Sequence, residues 1–376
     1  MELEQFKAEL TAWLDAHAAE LTPPYSGVGT LDDHLDHLAT VKRMAYDAGF
    51  MRWGWPERVG GFGGSPLLRG YLGEQLTLRD FVEPGAYSMT EVLAPTMIDF
   101  ARPELAAEMV PKLLRGEETW CQGFSEPSTG SNLSALTCRA TPTDEGWSVT
   151  GQKVWTSFAH RAQRCILLTR TGDVESAHRG ITAFFLDMDT PGITVRTIET
   201  MHGVLEFCEV FFDDVRIPRE RLLGEPNQGW SVAMDLLPYE RSTSLWHRAA
   251  LLQNKLNHLL ETAPEGAIDP LQLGEVVQHL AAFRARSRRT QHRFVNGETL
   301  GAETSIDKVL LGTGEQAVFD LALDSVPALI VAGDDDDSAK WRTKYMYSRA
   351  ATIYGGTYEV QRNIIARRLL DLGNDR

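Results

Sequence analysis

The chain has 376 residues, of which 43% are apolar and 24% are charged, a composition typical of a globular enzyme with two or three packed domains. Its net charge of −15 argues against nucleic-acid binding, because phosphate recognition needs clustered Lys and Arg. Four separated cysteines form no CxxC pair, which predicts a reducing, cytoplasmic location and no bound metal. No apolar run approaches the length of a membrane span, and the acidic N-terminus does not resemble a signal peptide.

The distribution of apolar residues divides the chain into three regions. The first region shows helical spacing, as at Phe6, Leu10 and Leu14. The middle region contains short β-branched runs between turn residues, which is typical of a small β-sandwich or barrel. Helical spacing then returns, and this order is not the alternation of a doubly wound sheet. The predicted fold class is α+β and mainly α, with an N-terminal helical domain (1–117), a central β-domain (118–226) and a C-terminal four-helix bundle (227–376).

The most informative segment is Trp120–Asn132, which reads WCQGFSEPSTGSN. Its small and hydroxyl-bearing residues predict a loop with free backbone N–H groups, suited to a polar or anionic ligand. The nucleophile elbow of a serine hydrolase requires Gly-x-Ser-x-Gly, but Gly123–Pro127 ends in proline, so this segment does not form that elbow.

Three further patterns have simpler structural explanations. Gly312–Ala317 satisfies GxGxxA, but helical spacing precedes it and no βαβ unit surrounds it, which disfavours a dinucleotide site. His34 and His37 lie among acidic residues without a zinc signature, as on a polar helix face. The basic segment Arg284–Arg293 fits either an anionic CoA ester or a solvated helix face.

Four sequence blocks stand out along the chain. They are Gly54–Gly61, Ser125–Asn132 (SEPSTGSN), Gly151–Ser157 (GQKVWTS) and Tyr354–Asn363 (YGGTYEVQRN). In sequence and in order they resemble the acyl-CoA dehydrogenase family, whose β-domain carries T/S-E-P-x-x-G-S-D/N and G-x-K-x-W-x-T/S segments. The resemblance spans nearly the whole chain. It implies an FAD-dependent oxidoreductase of lipid metabolism that acts on acyl-CoA thioesters, including those of fatty-acid or sterol side-chain degradation.

The resemblance also implies two sets of binding residues. The flavin would be held by residues of the β-domain blocks and of the C-terminal block, namely Phe124, Ser125, Gly130, Ser131, Trp155, Ser157, Thr357 and Glu359. The CoA thioester would be contacted by Ser131, Arg241 and Tyr354. Taken alone, Trp155 fits a core aromatic residue, and only its flanking motif favours the flavin.

The expected catalytic base departs from the best-known members of the family. Those members carry a glutamate just before the Gly-Thr of the C-terminal block, where this chain has Gly355. Other relatives place a Glu-Arg pair on the first long C-terminal helix, which matches Glu240 and Arg241. Glu240 would then be the base, and Gly355 would donate its N–H to the thioester carbonyl. An ordinary solvated glutamate remains the alternative for Glu240, and Asp235 is a weaker candidate base.

The implied reaction is α,β-dehydrogenation of an acyl-CoA, with electrons passed to an electron-transfer flavoprotein. The family's Arg-x-x-Phe-Gly segment, which binds FAD across subunits, is scrambled at 288–297. A homodimer, a homotetramer and a heterotetramer with a related subunit therefore stay open. Two other functions also stay open, a flavin monooxygenase on the same scaffold and a structural subunit of a heteromeric dehydrogenase.

Overall fold

The computed structural model describes residues 1–241 and 244–373, in which helices flank one β-sheet. The helices are α1 (Leu3–Ala16), α2 (Ala18–Leu21), α3 (Leu31–Asp47), α4 (Pro66–Leu78), α5 (Pro84–Phe100), α6 (Pro103–Arg115), α7 (Gly229–Glu240), α8 (Ser244–Thr262), α9 (Pro270–Val295), α10 (Thr304–Ser325), α11 (Ala328–Val331), α12 (Asp336–Ser348) and α13 (Tyr358–Ile364). The strands are β1 (Trp120–Gly123), β2 (Arg139–Pro142), β3 (Gly146–Ser157), β4 (Arg164–Arg170), β5 (Ile181–Asp187), β6 (Ile193–Thr197), β7 (Phe207–Pro218) and β8 (Leu222–Leu223). This order of elements confirms the predicted fold class.

The N-terminal helices pack around a core that extends to the sheet. α1 buries Phe6, Leu10 and Leu14, the residues expected from their helical spacing. α3 begins at a capping box, in which the Thr30 hydroxyl accepts the Asp33 N–H while the Asp33 carboxylate accepts the Thr30 N–H. From this core, α5 packs against α7 and so connects the N-terminal helices to the helix that ends at Glu240.

The central region is one sheet in the order β6-β7-β3-β2-β4-β5-β8, with β1 paired in parallel to β4. The long antiparallel pair β3–β7 contains a register shift between Lys153 and Thr156. A shift of this kind is a β-bulge, which redirects side chains and is frequent next to functional sites. The bulge contains Trp155.

The C-terminal helices enclose a separate apolar core. Leu252 on α8, Phe283 on α9, Phe319 on α10 and Trp341 on α12 all belong to it. Gly312–Ala317 lies inside α10, so the GxGxxA pattern is helical and forms no dinucleotide-binding turn.

The acidic run 334–337, whose consecutive charges are typical of a solvated loop, instead leads into the start of α12. The Asp335 carboxylate accepts a hydrogen bond from the Ser338 N–H at 2.9 Å and caps the helix. Asp337 lies 3.0 Å from His258 Nε2 on α8. The run therefore positions α12 against the bundle.

Other polar residues considered from the sequence have structural partners. His37 is buried, with its Nε2 2.9 Å from the Phe81 carbonyl oxygen. Within 1–241 and 244–373, no group of three or more His, Cys, Asp or Glu side chains is placed to hold a metal ion. The four cysteines are buried free thiols. None of the described helices is both long enough and apolar enough to cross a membrane.

Candidate active site

We call Ser125–Asn132 the flavin segment, after the role that resemblance assigns to it. It is anchored by a buried ion pair. Lys153 Nζ lies 2.8 Å from Glu126 Oε1, and both side chains are almost completely buried. The Glu126 carboxylate also accepts the backbone N–H groups of Thr137 at 2.7 Å and Cys138 at 2.9 Å. Burial opposes ionisation of Glu126, but the Lys153 charge and these hydrogen bonds outweigh it and lower the pKa of the carboxyl. The segment is therefore held by a charge inside the protein.

The two residues that precede Glu126 are also bonded to β3. Lys153 Nζ donates to the Phe124 carbonyl oxygen at 3.1 Å, and the Val154 N–H donates to the Ser125 carbonyl oxygen at 2.9 Å. Phe124 is buried and Ser125 is half-buried. The structure thus brings Phe124 and Ser125 to β3 beside Trp155, and resemblance assigns all three residues to the flavin.

Trp155 has an unusual backbone and an exposed ring. Its φ is 59° and its side chain is 56% exposed. A left-handed backbone is a genuine outlier for a bulky residue, and strain of about 1–3 kcal/mol of this kind clusters at functional sites. The indole contacts Phe207 edge-on, with ring centroids 5.9 Å apart. Trp155 is therefore not a core residue, and it presents an aromatic surface beside the flavin segment.

Several polar atoms near this surface are buried and have no partner among the described residues. They are the hydroxyls of Thr129 and Thr156 and the Oε1 of Gln122. An unsatisfied buried polar group costs about 1–3 kcal/mol unless a ligand or water pairs with it. At Gly130, an added Cβ would meet nothing within 4 Å, so the segment is open there. An exposed aromatic ring, unpaired hydroxyls and an open glycine loop fit the ring and phosphates of FAD.

A second group of residues, which we call the base cluster, comprises Gln122, Glu240, Lys308 and Gly355. Gln122 Nε2 donates to Glu240 Oε2 at 3.2 Å, so β1 contacts the last turn of α7. A Cβ at Gly355 would lie 3.0 Å from Glu240 Oε1 and 3.2 Å from Lys308 Cε. The Glu240 carboxylate therefore packs directly on Gly355 and occupies the space that a side chain there would need.

Hydrogen bonds hold the backbone of Gly355 at its carbonyl oxygen. Its φ is +62°, a region that favours glycine. Its carbonyl oxygen accepts Arg241 Nε at 3.2 Å and Gln361 Nε2 at 3.3 Å. In the described part of the chain, no group accepts a hydrogen bond from the Gly355 N–H. The turn is thus fixed through its carbonyl, and the N–H is left for a ligand next to the Glu240 carboxylate.

A buried polar network supports Tyr354, the residue before Gly355. The Tyr354 hydroxyl lies 2.8 Å from Arg248 NH2 and 3.1 Å from Glu315 Oε2. Lys308 Nζ lies 4.0 Å from the centre of the Tyr354 ring, and burial lowers the pKa of Lys308 to about 8. Three side chains from α8 and α10 therefore hold Tyr354.

The other residues assigned by resemblance lie on the flavin segment, at the end of β3 and on α13. Gly130 and Ser131 are exposed in the flavin segment, and Ser157 is half-buried at the end of β3. The Thr357 hydroxyl caps the first turn of α13, on which Glu359 is exposed. These residues thus form two groups, one in the central region and one at α13.

Three residues of this region, Gln122, Lys308 and Arg248, were not predicted from the sequence as site residues. The sequence did contain a sign of each, because a polar side chain in an otherwise apolar strand or helix is rarely buried without a partner. Asp235, the weaker candidate base, lies apart and accepts the Thr96 hydroxyl at 2.8 Å. Burial raises the pKa of Asp235 to about 6. This hydrogen bond joins α7 to α5 and does not involve Gly355.

Comparison with known proteins identifies the family of the chain. Models of the N-terminal, middle and C-terminal domains of acyl-CoA dehydrogenases match residues 2–117, 121–215 and 227–370. The chain is 33% identical to acyl-CoA dehydrogenase IpdE1 of Mycobacterium tuberculosis over 99% of its length and 98% of that protein. It is 32% identical to IpdE1 of Mycolicibacterium smegmatis, with the same coverage of both chains.

A solved structure supports the fold independently. A steroid acyl-CoA dehydrogenase, Tcur3481-Tcur3483, superposes with a TM-score of 0.83 over 100% of this chain and 99% of its own, at 22% identity. At that identity the likeness concerns the fold alone. Three domain models in order and full-length relatives above 30% identity carry the assignment. The chain belongs to the acyl-CoA dehydrogenase family of FAD-dependent oxidoreductases.

Proposed function

We propose that the chain removes hydrogen from the α and β carbons of an acyl-CoA thioester, with Glu240 as the catalytic base. The observation that carries this proposal is the contact between the Glu240 carboxylate and Gly355, whose N–H has no acceptor in the described ranges. An α-proton is removed only if the thioester carbonyl is stabilised as negative charge develops on its oxygen. A carboxylate beside a free amide donor meets both requirements.

Each member of the base cluster has a distinct role in the proposal. Glu240 Oε1 accepts the α-proton, because Gln122 donates to the other carboxylate oxygen at 3.2 Å. The Gly355 N–H donates to the thioester carbonyl oxygen. Arg241 orients that N–H through its hydrogen bond to the Gly355 carbonyl. Tyr354, which the buried Arg248 holds at 2.8 Å, supports the same turn and lines the thioester site.

FAD, when bound, accepts the hydride that leaves the β carbon. We assign its binding to the residues implied by resemblance, which are Phe124, Ser125, Gly130, Ser131, Trp155, Ser157, Thr357 and Glu359. The exposed Trp155 ring and the unpaired Thr129 and Thr156 hydroxyls support this assignment. Ser131 is also assigned to the CoA, since it is exposed where the flavin segment opens to solvent.

The proposed partners follow the family. Electrons leave to an electron-transfer flavoprotein, and the chain acts in the cytoplasm as a homo-oligomer or as a heterotetramer with a related subunit. Exposed apolar side chains near the C-terminal block support an oligomer, because such patches mark interaction surfaces. They include Ile353 at 62%, Leu370 at 60% and Leu372 at 72% exposed. The proposed domains are 1–117, 118–226 and 227–376.

The experiment compares Glu240→Gln with Glu261→Gln, which removes a charge from an exposed residue of α8. We expect Glu240→Gln to lower the dehydrogenation rate by about 10²–10⁴-fold, the usual contribution of a general base. Its flavin content stays at the wild-type level. Exchange of the α-proton with D2O, followed by mass spectrometry without an electron acceptor, is lost in this variant and kept in Glu261→Gln.

Three outcomes would redirect the proposal. Full activity of Glu240→Gln in the assembled protein would make this chain a structural subunit or move the base elsewhere. Rapid oxidation by air of the reduced enzyme with substrate bound would favour a monooxygenase. Absence of flavin, both in the chain alone and after co-expression with a related subunit, would refute the FAD-dependent reaction.

A further inference from the structure

A cavity of about 330 Å³ lies where all three regions of the fold meet. Its walls come from the segment after α2, the α4–α5 connection, the loop before β7, and helices α8 and α12. None of the residues assigned above to FAD lines it. At about 30 Å³ per water, the cavity has room for about ten non-hydrogen groups.

One tyrosine separates this cavity from the base cluster. Arg248 and Tyr347 form part of the cavity wall. Arg248 NH2 lies 2.8 Å from the Tyr354 hydroxyl, and the rings of Tyr347 and Tyr354 lie 5.9 Å apart. Tyr354 precedes Gly355, on which the Glu240 carboxylate packs. The cavity wall and the base cluster are therefore neighbours, with Tyr354 between them.

The lining combines apolar and cationic side chains. Val82, Val204 and Leu251 supply an apolar surface suited to methylene groups. Basic side chains outnumber acidic ones, with Arg79, Arg248, Lys255, Lys340 and Lys344 against Asp80, Glu83 and Glu206. Two of these cations pair with carboxylates outside the lining, Arg79 with Asp15 at 3.1 Å and Arg248 with Glu315. Cations nevertheless predominate among the lining residues of a chain whose net charge is −15. Their location points to a bound anion rather than to general surface charge.

The charges in the cavity are incompletely paired. Lys344 pairs with Glu83, and Arg248 pairs with Glu315 at 3.0 Å. Lys255 has no acidic partner within salt-bridge distance in the described ranges, and burial lowers its pKa. Burial raises the pKa of Glu206 to about 7, which reduces the negative charge that this carboxyl contributes. Lys255 therefore makes no direct ion pair, and only the more distant carboxylates Asp80, Glu83 and Asp337 favour its charged form.

His202 adds an unpaired donor to the same wall. Its Nδ1 accepts the Val204 N–H at 3.2 Å, which places the proton of the neutral ring on Nε2. Nε2 is buried and has no partner among the described residues. Burial lowers the pKa of His202, so the ring is a neutral donor. Lys255 and His202 are thus two hydrogen-bond donors in the cavity wall, and a ligand with acceptor oxygens would pair with both.

We propose that this cavity binds the far end of the acyl group and that this end carries a carboxylate, so that the substrates are CoA thioesters of dicarboxylic acids. The inference rests on the proposed function for its first half, the thioester at Gly355. The apolar wall takes the methylene chain, and the Lys255 ammonium and the His202 Nε2–H bind the carboxylate.

The test uses matched straight-chain acyl-CoA esters of equal length, with and without a terminal carboxylate. Wild type, Lys255→Met and Lys112→Met are compared as holoenzymes. Lys112 lies on α6 outside the cavity lining and provides a surface control for the loss of one positive charge. Flavin bleaching gives kcat/KM, and calorimetric titration gives binding independently of turnover.

We expect wild type to favour the carboxylated ester by about tenfold, the usual effect of one charge-assisted hydrogen bond. Lys255→Met abolishes this preference without changing the rate on the plain ester, and Lys112→Met preserves it. Equal rates on both esters in wild type, or an equal loss on both in Lys255→Met, would overturn the inference and leave the dehydrogenase intact. Tighter binding of carboxylated esters without bleaching would keep the cavity assignment and refute the dehydrogenase. Equal binding without bleaching would refute both.

Discussion

The flavin segment and the base cluster differ in how they are assembled. The flavin segment is one stretch of chain, and a single buried pair, Glu126 with Lys153 at 2.8 Å, fixes it to the adjacent strand β3. The base cluster takes single residues from β1, α7, α10 and the turn before α13. The first region is therefore local, whereas the second exists only where the sheet and the C-terminal helices meet.

This difference predicts separable failures. A change in the Glu126–Lys153 pair alters the folding of the sheet and the binding of flavin together, because the same charge supports both. Under the proposed function, a change in the base cluster alters catalysis while flavin stays bound, because its members are assigned to the reacting atoms and lie outside the flavin segment. Variants at the two regions can break or sharpen this contrast.

The largest expected effect is on stability, from Glu126→Gln. The change leaves the fully buried Lys153 without a counter-charge, and breaking a buried pair costs about 3–5 kcal/mol. Urea unfolding should show this loss, and flavin content should fall with it. Glu117→Gln, in an exposed pair with Arg115, serves as the control and should cost less than about 1 kcal/mol. If a destabilised Glu126→Gln still bound a full complement of flavin, flavin binding would not depend on the Glu126–Lys153 pair.

Next in size is Gly355→Ala. Its Cβ would meet the Glu240 carboxylate at 3.0 Å, at a backbone φ of +62°, so the base must move. We expect kcat to fall by about 100-fold, the usual cost of a displacement of about 1 Å, with flavin content unchanged. Gly266→Ala imposes similar strain at φ +79° with no neighbour within 4 Å. A similar loss of kcat in that control would show that strain, rather than displacement of Glu240, is responsible.

A smaller effect is expected from Gln122→Leu, which keeps the approximate size of the side chain but removes the donor to Glu240 Oε2. The carboxylate then loses one orienting hydrogen bond, and kcat should fall by about tenfold while KM and flavin content stay unchanged. Gln122→Glu, which places a like charge against Glu240, should be worse than leucine. Equal activity of all three proteins would remove Gln122 from the base cluster.

The smallest expected effect is a difference in acid stability. Folding lowers the pKa of Glu126 below its ordinary value of 4.5, so its contribution is present above that pH and is lost as the pH falls through the lower, folded pKa. The urea midpoint of wild type should therefore decline more steeply below about pH 4.5 than that of Glu126→Gln, which cannot titrate there. Parallel declines would assign the acid sensitivity to other carboxyl groups.

The sequence alone predicted the order of helices, strands and helices, and it identified the flavin segment. Both depend on local information, namely the spacing of apolar residues and a contiguous run such as Ser125–Asn132. Only the structure shows that the Glu126–Lys153 pair holds this segment in place, because the two residues lie 27 positions apart in the sequence. The sequence suggested a loop at the acidic run, although the hydrogen bond by which Asp335 caps α12 joins residues only three positions apart.

What the sequence determined by itself is the family, the fold class and the two candidate positions for the base, because motif residues follow one another along the chain. Only the tertiary structure decided that Glu240 lies against Gly355, that Gln122 holds it and that Lys255 lines a separate cavity. These contacts join residues more than a hundred positions apart, and no periodicity or spacing encodes them. They arise because burial of the apolar faces of the sheet and of the C-terminal helices brings their few polar side chains together.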